Sequence, residues 1–304
     1  LRSLAVIIVG VVVGALLSVL VFGQDKTWNW IESQWRLDVG APVTTTPYPD
    51  DIGDPLVRLA AAGDVGTGGN AERATATAMV RLEQVREFDA LLLLGDNVYP
   101  AGDPTSIKTK LLEPLAPVLD GPTELIAALG NHDVKTGDGD PQIAALGLPG
   151  RWYEREIGPV RVVVVDSTKA DDTDQIAWVR QTLSAPTDKD WTVVVQHHPP
   201  FSAGYHGSHG PSDANLVPLY TEFSVDLVLA GHDHDYQRTS PQGGVTYIVS
   251  GAAAKLRPTG RASFTEYAAS TYHFTELAVY ADRLEIRAVD QNGEVFDTAT
   301  LSPH

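Results

Sequence analysis

In Ala90-Leu91-Leu92-Leu93-Leu94-Gly95-Asp96-Asn97-Val98-Tyr99, five apolar residues run straight into Gly-Asp. A short apolar run that ends on a turn signal reads as a buried strand. Its C-terminal tip carries a carboxylate, and that is where open α/β sheets place their ligands. Gly-Asp-Asn by itself is only turn chemistry. The arrangement recurs, however. The run 59–62 leads into Gly63-Asp64, 125–129 into Gly130-Asn131-His132-Asp133, 193–195 into Gln196-His197-His198, and 227–230 into Gly231-His232-Asp233-His234. Five strand ends that each deliver Asp, Asn or His point to a metal cluster rather than to coincidence.

Outward from that strand, the pattern predicts strands at 56–62, 89–94 and 124–129, with a helix at 70–86 and a Pro-interrupted helical region up to residue 119. Residues 152–156 and 160–165 read as a strand pair. A helix at 174–183 places Ile176, Val179 and Leu183 on one face. Strands at 191–195 and 225–229 frame a helix near 215–223. The tail changes character: 272–280, 284–289 and 295–301, joined by polar turns, read as an antiparallel meander. Alternating strands and helices followed by meandering strands predict α/β layers with a mixed second sheet.

The chain has 304 residues, enough to fill one large domain or two. Its 39 acidic and 22 basic residues give a formal net charge of -17, which argues against a nucleic-acid groove, because a polyanion needs a basic patch. The same charge repels anionic substrates, so any phosphate has to be held by something local and cationic. Cysteine is absent, so disulfides and thiolate metal sites are excluded.

Residues 4–22 form an uncharged run preceded by Arg2 and followed by Trp28, Trp30 and Trp35. Such a run predicts a membrane-spanning helix over 1–23 with interfacial aromatics. Its rival is a cleaved signal segment ending near Val21-Phe22-Gly23. Positive-inside bias, lessened by Lys26, puts the rest of the chain outside the cytoplasm: membrane-anchored in the first case, secreted in the second. Residues 24–54 are expected to form a juxtamembrane segment and a Pro/Thr-rich spacer, whose last residues alternatively wrap the domain as an extended strand. The globular domain is expected over 55–304.

Several loops carry competing readings. Gly66-Thr67-Gly68-Gly69-Asn70-Ala71 fits G-x-G-x-x-A between a strand and a helix, the dinucleotide fingerprint, and Asp96 could then hold the ribose. A nucleotide fold gives no reason for His132, His197, His232 and His234 to recur at strand ends. Gly231-His232-Asp233-His234 is the strongest signal, since two histidines two apart on extended backbone point the same way. His197 is a further ligand candidate, whereas His198 reads as structural, with Pro199-Pro200 fixing the backbone after it. His206 and His209 lie on the Gly-rich stretch 202–210, and either could contact phosphate or stand exposed. Asp166, in Asp166-Ser167-Thr168, reads as a cap.

Gly-Asp-Val-Gly, Gly-Asp-Asn-Val-Tyr, Gly-Asn-His-Asp, Val194-Val195-Gln196-His197 and Gly-His-Asp-His occur in the order and spacing of the calcineurin-like metallophosphoesterases, which the chain therefore resembles. Tyr99 marks the purple acid phosphatase branch, in its small single-domain type. Many relatives outside that branch carry a His two residues after the first Asp, where this chain has Gly66, and Tyr99 would supply the missing ligand.

The resemblance implies a four-layer α/β/β/α sandwich of two mixed sheets and a dinuclear metal centre. Asp64, Tyr99 and His234 would hold one ion, Asn131, His197 and His232 the other, and Asp96 would bridge them. Tyrosinate and carboxylates suit Fe(III) at the first position, with Fe(II), Zn(II) or Mn(II) at the second. Hydroxide held between the metals would attack phosphorus in line, and His132, oriented by Asp133, would steady the phosphoryl group or protonate the leaving alkoxide. Val134 stands where mammalian relatives often have another histidine, which puts the leaving-group acid in question along with the choice between His206 and His209. The expected function is hydrolysis of small phosphomonoesters. A phosphodiesterase of the same superfamily, a dinucleotide-binding protein and a metal-binding protein without turnover are the alternatives.

Overall fold

A computed structural model describes residues 43–303. The predicted 1–23 anchor and the first part of the spacer lie outside the described residues. Among the described residues no helix is long and apolar enough to cross a membrane.

The chain builds one sheet, moves to a second and returns. Strands β1 (Thr46–Pro47), β2 (Val57–Ala62), β3 (Ala90–Leu93) and β4 (Glu124–Ala127) belong to the first sheet. The second sheet holds β5 (Tyr153–Ile157), β6 (Val160–Val164), β7 (Trp191–Val195), β8 (Leu227–Ala230), β9 (Tyr236–Thr239), β10 (Thr246–Ser250) and β11 (Thr265–Ala269). The meander β12 (His273–Val279), β13 (Leu284–Asp290) and β14 (Glu294–Leu301) then completes the first. The spatial orders are β1-β14-β13-β12-β2-β3-β4 and β11-β9-β10-β8-β7-β6-β5. Both sheets are mixed: β2, β3 and β4 run parallel beside an antiparallel meander, and β6, β7, β8 and β10 run parallel beside antiparallel edges.

Helices α1 (Asn70–Glu83), α2 (Glu113–Leu119), α3 (Asp140–Leu146), α4 (Thr173–Ser184), α5 (Gly210–Asn215) and α6 (Val217–Glu222) join the strands. Strand periodicity assigns the layers. Leu59, Ala61, Leu92 and Leu94 face Val162, Val164, Val193, Val195, Leu227 and Leu229 between the sheets. Their neighbours Ala60, Ala62, Leu91 and Leu93 face the other way, onto Ala78, Met79 and Leu82 of α1 and onto Leu115 and Val118 of α2. Val163, Val194 and Val228 meet Val179 of α4 with Leu219 and Tyr220 of α6. The expected α/β/β/α sandwich results, and its strands look continuously apolar because both faces are buried. Truncating a side chain such as Leu92 to Ala would cost about 2–5 kcal/mol.

The spacer departs from expectation over its last residues. β1 pairs with β14, Tyr48 donates a 2.8 Å hydrogen bond to buried Glu276, and Ile52 is buried. The folded unit therefore begins before residue 55, and the extended-wrap alternative describes these residues better than a free spacer does. The helix expected near 215–223 is two short ones, α5 and α6, with Pro211 and Pro218 in their first turns.

Candidate metal centre

Parallel strands from both sheets end at a common edge, and the loops at those ends converge. Asp64 follows β2, Asp96 follows β3, Asn131 and His132 follow β4, His197 follows β7, and His232 and His234 follow β8. Asp64, Asp96 and His232 hold positive φ angles of 59°, 55° and 73°. Such conformations cost non-glycine residues roughly 1–3 kcal/mol each and concentrate at functional sites, where the surrounding structure over-determines them.

Three groups meet on one side of the site. Tyr99 Oη lies 2.7 Å from Asp64 Oδ1 and 3.3 Å from His234 Nε2, and His234 Nε2 lies 3.3 Å from Asp64 Oδ1. On the other side His197 Nε2 is 3.0 Å from Asn131 Oδ1 and 3.5 Å from Asp96 Oδ1. Ligating atoms of Asp64, Asp96 and His197 all fall within 4.8 Å of one another, as do those of His197, His198 and His232. Asp96 thus stands between two groups of donors. Carboxylate, phenol, amide and imidazole together form an oxygen- and nitrogen-rich set suited to hard or borderline cations.

Hydrogen bonds behind the donors aim them. His197 Nδ1 is 2.9 Å from the Leu94 carbonyl, which fixes the proton there and leaves Nε2 free to face the site. The His232 N–H donates to Asp64 Oδ2 at 2.8 Å, and the His132 N–H donates to Asp96 Oδ1 at 2.8 Å. Burial favours the neutral form of Asp64, but its hydrogen bond with His234 and the neighbouring charge of His197 hold its pKa below the usual carboxylate range. Burial, then the charges of Asp64 and Asp96, drive the Tyr99 phenol far above its ordinary value. A phenolate here requires a cation to replace its proton. The site is built to receive positive charge, and its donor set fits two metal ions.

Glycine at two motif positions has a steric cause. A Cβ on Gly66 would lie 2.0 Å from the Asn97 carbonyl oxygen, and Tyr99 N–H donates to the Gly66 carbonyl at 2.8 Å. The backbone of the loop leading to Tyr99 therefore occupies the space that any side chain at 66 would need. A Cβ on Gly130 would lie 2.1 Å from the backbone nitrogen of Asp96. The first dinucleotide-like glycine thus serves loop packing. Asn70 opens α1 below it, and buried Glu72 ties the turn by accepting from Thr67 N–H and Gly68 N–H at 3.0 and 2.7 Å.

Some predicted roles change. Asp133 does not orient the His132 ring, because its carboxylate is fully engaged by other donors and the ring Nδ1 contacts the Pro100 carbonyl instead. Its buried carboxylate accepts from Asn97, Val98, Gly130 and Gln142 instead. The His132 ring is aimed by the Pro100 carbonyl, 2.6 Å from Nδ1, with Nε2 left 3.9 Å from Asp96 Oδ2. His206 and His209 also separate. His206 Nδ1 lies 3.0 Å from Asp233 Oδ1, and its ring stacks on His232 at 4.2 Å. His209 caps α5 through Nδ1 and stacks on His198 at 4.4 Å. Burial first, then the charge of His197, lowers its pKa to about 4, so it carries no positive charge near neutral pH.

His198 keeps a supporting contact, with Nδ1 3.0 Å from Ser167 Oγ, although its ring also borders His232. Asp166 caps the turn after β6 by accepting from Thr168 N–H at 3.0 Å, as expected. Asp233 had no assigned role from sequence. It holds the Gly-rich loop through Ser202 Oγ and the His206 N–H, the latter at 2.7 Å, and its placement inside Gly-His-Asp-His was the available signal.

The chain is similar to known proteins over most of its described length. Tartrate-resistant acid phosphatase type 5 of Sus scrofa is 27% identical over 263 residues, which cover 72% of this chain and 75% of that one. Purple acid phosphatase PPD1 from yellow lupin superposes with a TM-score of 0.72 at 18% identity, covering 84% of this chain and 55% of that one. GAP50, the anchor in the inner membrane complex of Plasmodium, superposes with a TM-score of 0.73 at 18% identity, covering 83% and 90%. The family model for calcineurin-like phosphoesterases matches residues 57–236, from the first residue of β2 to the start of β9. This chain belongs to the calcineurin-like phosphoesterase family.

Proposed function

We propose that the protein is a dinuclear-metal phosphatase of the purple acid phosphatase kind, acting on small phosphomonoesters. The observation that carries this reading is Asp96, poised between the Asp64–Tyr99–His234 group and the Asn131–His197–His232 group. In this reading Asp64, Tyr99 and His234 hold one ion, Asn131, His197 and His232 hold the other, and Asp96 serves both. The phenol at Tyr99 favours Fe(III) in the first position, and the imidazole-rich second position suits Fe(II), Zn(II) or Mn(II). Bound there, the ions supply a water of lowered pKa and Lewis acidity toward the phosphoryl oxygens.

The chain supplies the rest. His132, whose Nδ1–H donates to the Pro100 carbonyl, offers Nε2 beside Asp96. Once Nε2 has also taken a proton from solvent, it can steady a phosphoryl oxygen or pass that proton to the departing alkoxide. His206 is held by Asp233 beside His232 and contributes a second imidazole on the opposite rim. Asp133 and Asp233 keep the two loops in place.

The test is metal content together with rates on matched phosphomonoester and phosphodiester substrates, before and after chelation. Two metals per chain and chelator-sensitive turnover of the monoester are expected. Preference for the diester would make the protein a phosphodiesterase, and bound metal without turnover would make it a binding protein.

The apolar run 4–22 supports tethering to a membrane with the catalytic domain outside the cytoplasm. The full chain is then expected to pellet with membranes through a high-salt wash. A secreted mature chain starting near Gln24 would show a cleaved signal instead.

A further inference from the structure

A ligating imidazole has to be aimed, because its lone pair lies in the ring plane and the torsion that turns the ring is broad. His197 is aimed by its contact with the Leu94 carbonyl, whereas neither ring nitrogen of His232 hydrogen-bonds to another described residue. The His232 ring is packed among other imidazoles instead. His206 stacks on it with centroids 4.2 Å and planes 29° apart, His198 borders it at 4.5 Å and 59°, and His197 stands edge-on at 5.0 Å. Asp233 holds the first of these rings. His198 has a mounting of its own.

That mounting is Ser167 Oγ, which accepts from His197 N–H at 3.2 Å and from His198 N–H at 2.8 Å, and lies 3.0 Å from His198 Nδ1. A hydroxyl has two lone pairs and one proton. Both lone pairs are taken, so the proton goes to Nδ1, and the neutral ring carries its own proton on Nε2. Neither nitrogen is then left for a metal, which makes His198 a neighbour of the second ion's ligands rather than one of them. Its ring is buried, with His209 stacked 4.4 Å away at 22°. Pro199, immediately downstream, restricts the backbone that carries it.

We propose that His198 is a positioning residue: locked by Ser167, it fixes the plane of the His232 imidazole and so aims that ring at the second ion. This rests on the dinuclear reading of the metal centre and adds to it a residue outside the ligand set. Packing against an aromatic face here takes the place of the hydrogen bond that commonly fixes a ligating histidine. Since Ser167 also holds the backbone of His197, one hydroxyl governs two ligands of the same ion. Among the described residues no hydrogen bond or ring contact joins Ser167 or His198 to Asp64, Tyr99 or His234. The effect is therefore confined to the second position.

The experiment loads the full chain with iron and titrates the remaining position with Zn(II) by calorimetry, for wild type, His198→Ala and His198→Phe. Ala removes the ring, whereas Phe keeps an aromatic face against His232 and has no nitrogen. Affinity for Zn(II) is expected to fall about 10–100-fold in the Ala variant and to recover most of that loss in the Phe variant. Iron retained after gel filtration reads the first position in the same samples, and both variants should keep it as wild type does. An Ala variant that binds Zn(II) as tightly as wild type would overturn the proposal, because the ring would then be idle. So would a Phe variant as weak as Ala, because a His198 nitrogen would then be the active group. A wild-type chain that takes up a single ion would remove the dinuclear reading and this role together. Two ions in wild type with an idle ring would remove only the role of His198.

Discussion

The Asp133 carboxylate oxygen Oδ2 accepts from both the backbone N–H and the side-chain amide of Asn97, each at 3.0 Å. This pairing ties the loop carrying Asp96 to the loop carrying Asn131 and His132. The same buried carboxylate also accepts from Gly130 N–H at 2.8 Å, Val98 N–H at 3.1 Å and Gln142 Nε2 at 3.0 Å. Two loops that each deliver a proposed ligand are thus registered by one residue whose carboxylate is taken up by backbone and amide donors.

Asp133→Asn turns one of those acceptor oxygens into a donor facing donors. It is expected to cost about 2–4 kcal/mol of stability, measured by thermal unfolding of the metal-free protein. Affinity for metal should fall about 10–100-fold as the ligands lose their aim. Wild-type stability combined with a specific loss of leaving-group protonation would instead restore the role expected for Asp133 from sequence, orienting His132.

Legibility of the chain follows burial chemistry. β2, β3, β7 and β8 could be read directly because both faces of each strand are buried, so apolar runs mark them without ambiguity. Strands β9 to β11 escaped notice. Tyr236-Gln237-Arg238-Thr239 is polar in sequence, yet buried through hydrogen bonds such as Tyr236 Oη to Asp297 and Arg238 to Asp297, at 2.8 and 2.7 Å. Hydropathy registers transfer from water and takes no account of a polar partner that arrives from elsewhere in the chain.

The candidate donors were legible because Asp, Asn and His recur at the ends of apolar strands. Their supports were not, since side-chain direction within a turn decides them. Asp133 and His209 illustrate this: one neighbours His132 and has its carboxylate engaged by the adjoining loop, the other caps a helix.

His206 and His209 now predict different phenotypes. His206→Ala should raise KM for a phosphomonoester and lower kcat/KM about tenfold, with little change in unfolding temperature. His209→Ala should cost roughly 1 kcal/mol through the lost helix cap and leave KM alone. Steady-state kinetics and thermal unfolding on the two variants separate the roles. A KM effect confined to His209→Ala would reverse the assignment.

A buried histidine outside the candidate metal centre sets an acid limit on stability. His273 is fully buried, with Nδ1 2.9 Å from the Thr271 carbonyl, Nε2 3.0 Å from Ser250 Oγ and the ring edge-on to Tyr236. Burial lowers its pKa to about 4 from an ordinary 6.5. Between those values the unfolded chain binds a proton that the folded one refuses, so stability falls as pH drops through this window. The loss approaches about 3 kcal/mol at the acid end. His273→Gln, which cannot take the proton, should be less stable than wild type at pH 7 and should close much of that gap by pH 4. Parallel stability curves for the two proteins over this range would refute the assignment.

Tyr99 gives the most direct test of the proposed first metal position. Its phenol is 2.7 Å from Asp64 and 3.3 Å from His234 Nε2, and is nearly buried at 8% exposure, so no solvent base can take its proton. Ionisation therefore has to come from a cation, and an Fe(III)–phenolate pair absorbs visible light through charge transfer from ligand to metal. The iron-loaded protein is expected to be purple. Tyr99→Phe removes one oxygen and almost no volume, so the backbone bond from residue 99 to Gly66 should persist and the fold should change by less than about 1 kcal/mol. The colour should vanish, and iron should dissociate at least tenfold more readily. The activity that remains should need a less acidic medium, since a weaker Lewis acid lowers the pKa of bound water less. Visible absorption, iron retention after gel filtration and a pH–rate profile on the same preparation read all three. A Phe variant that stays purple would remove Tyr99 from the ligand set. The first ion would then rest on Asp64, Asp96 and His234 alone.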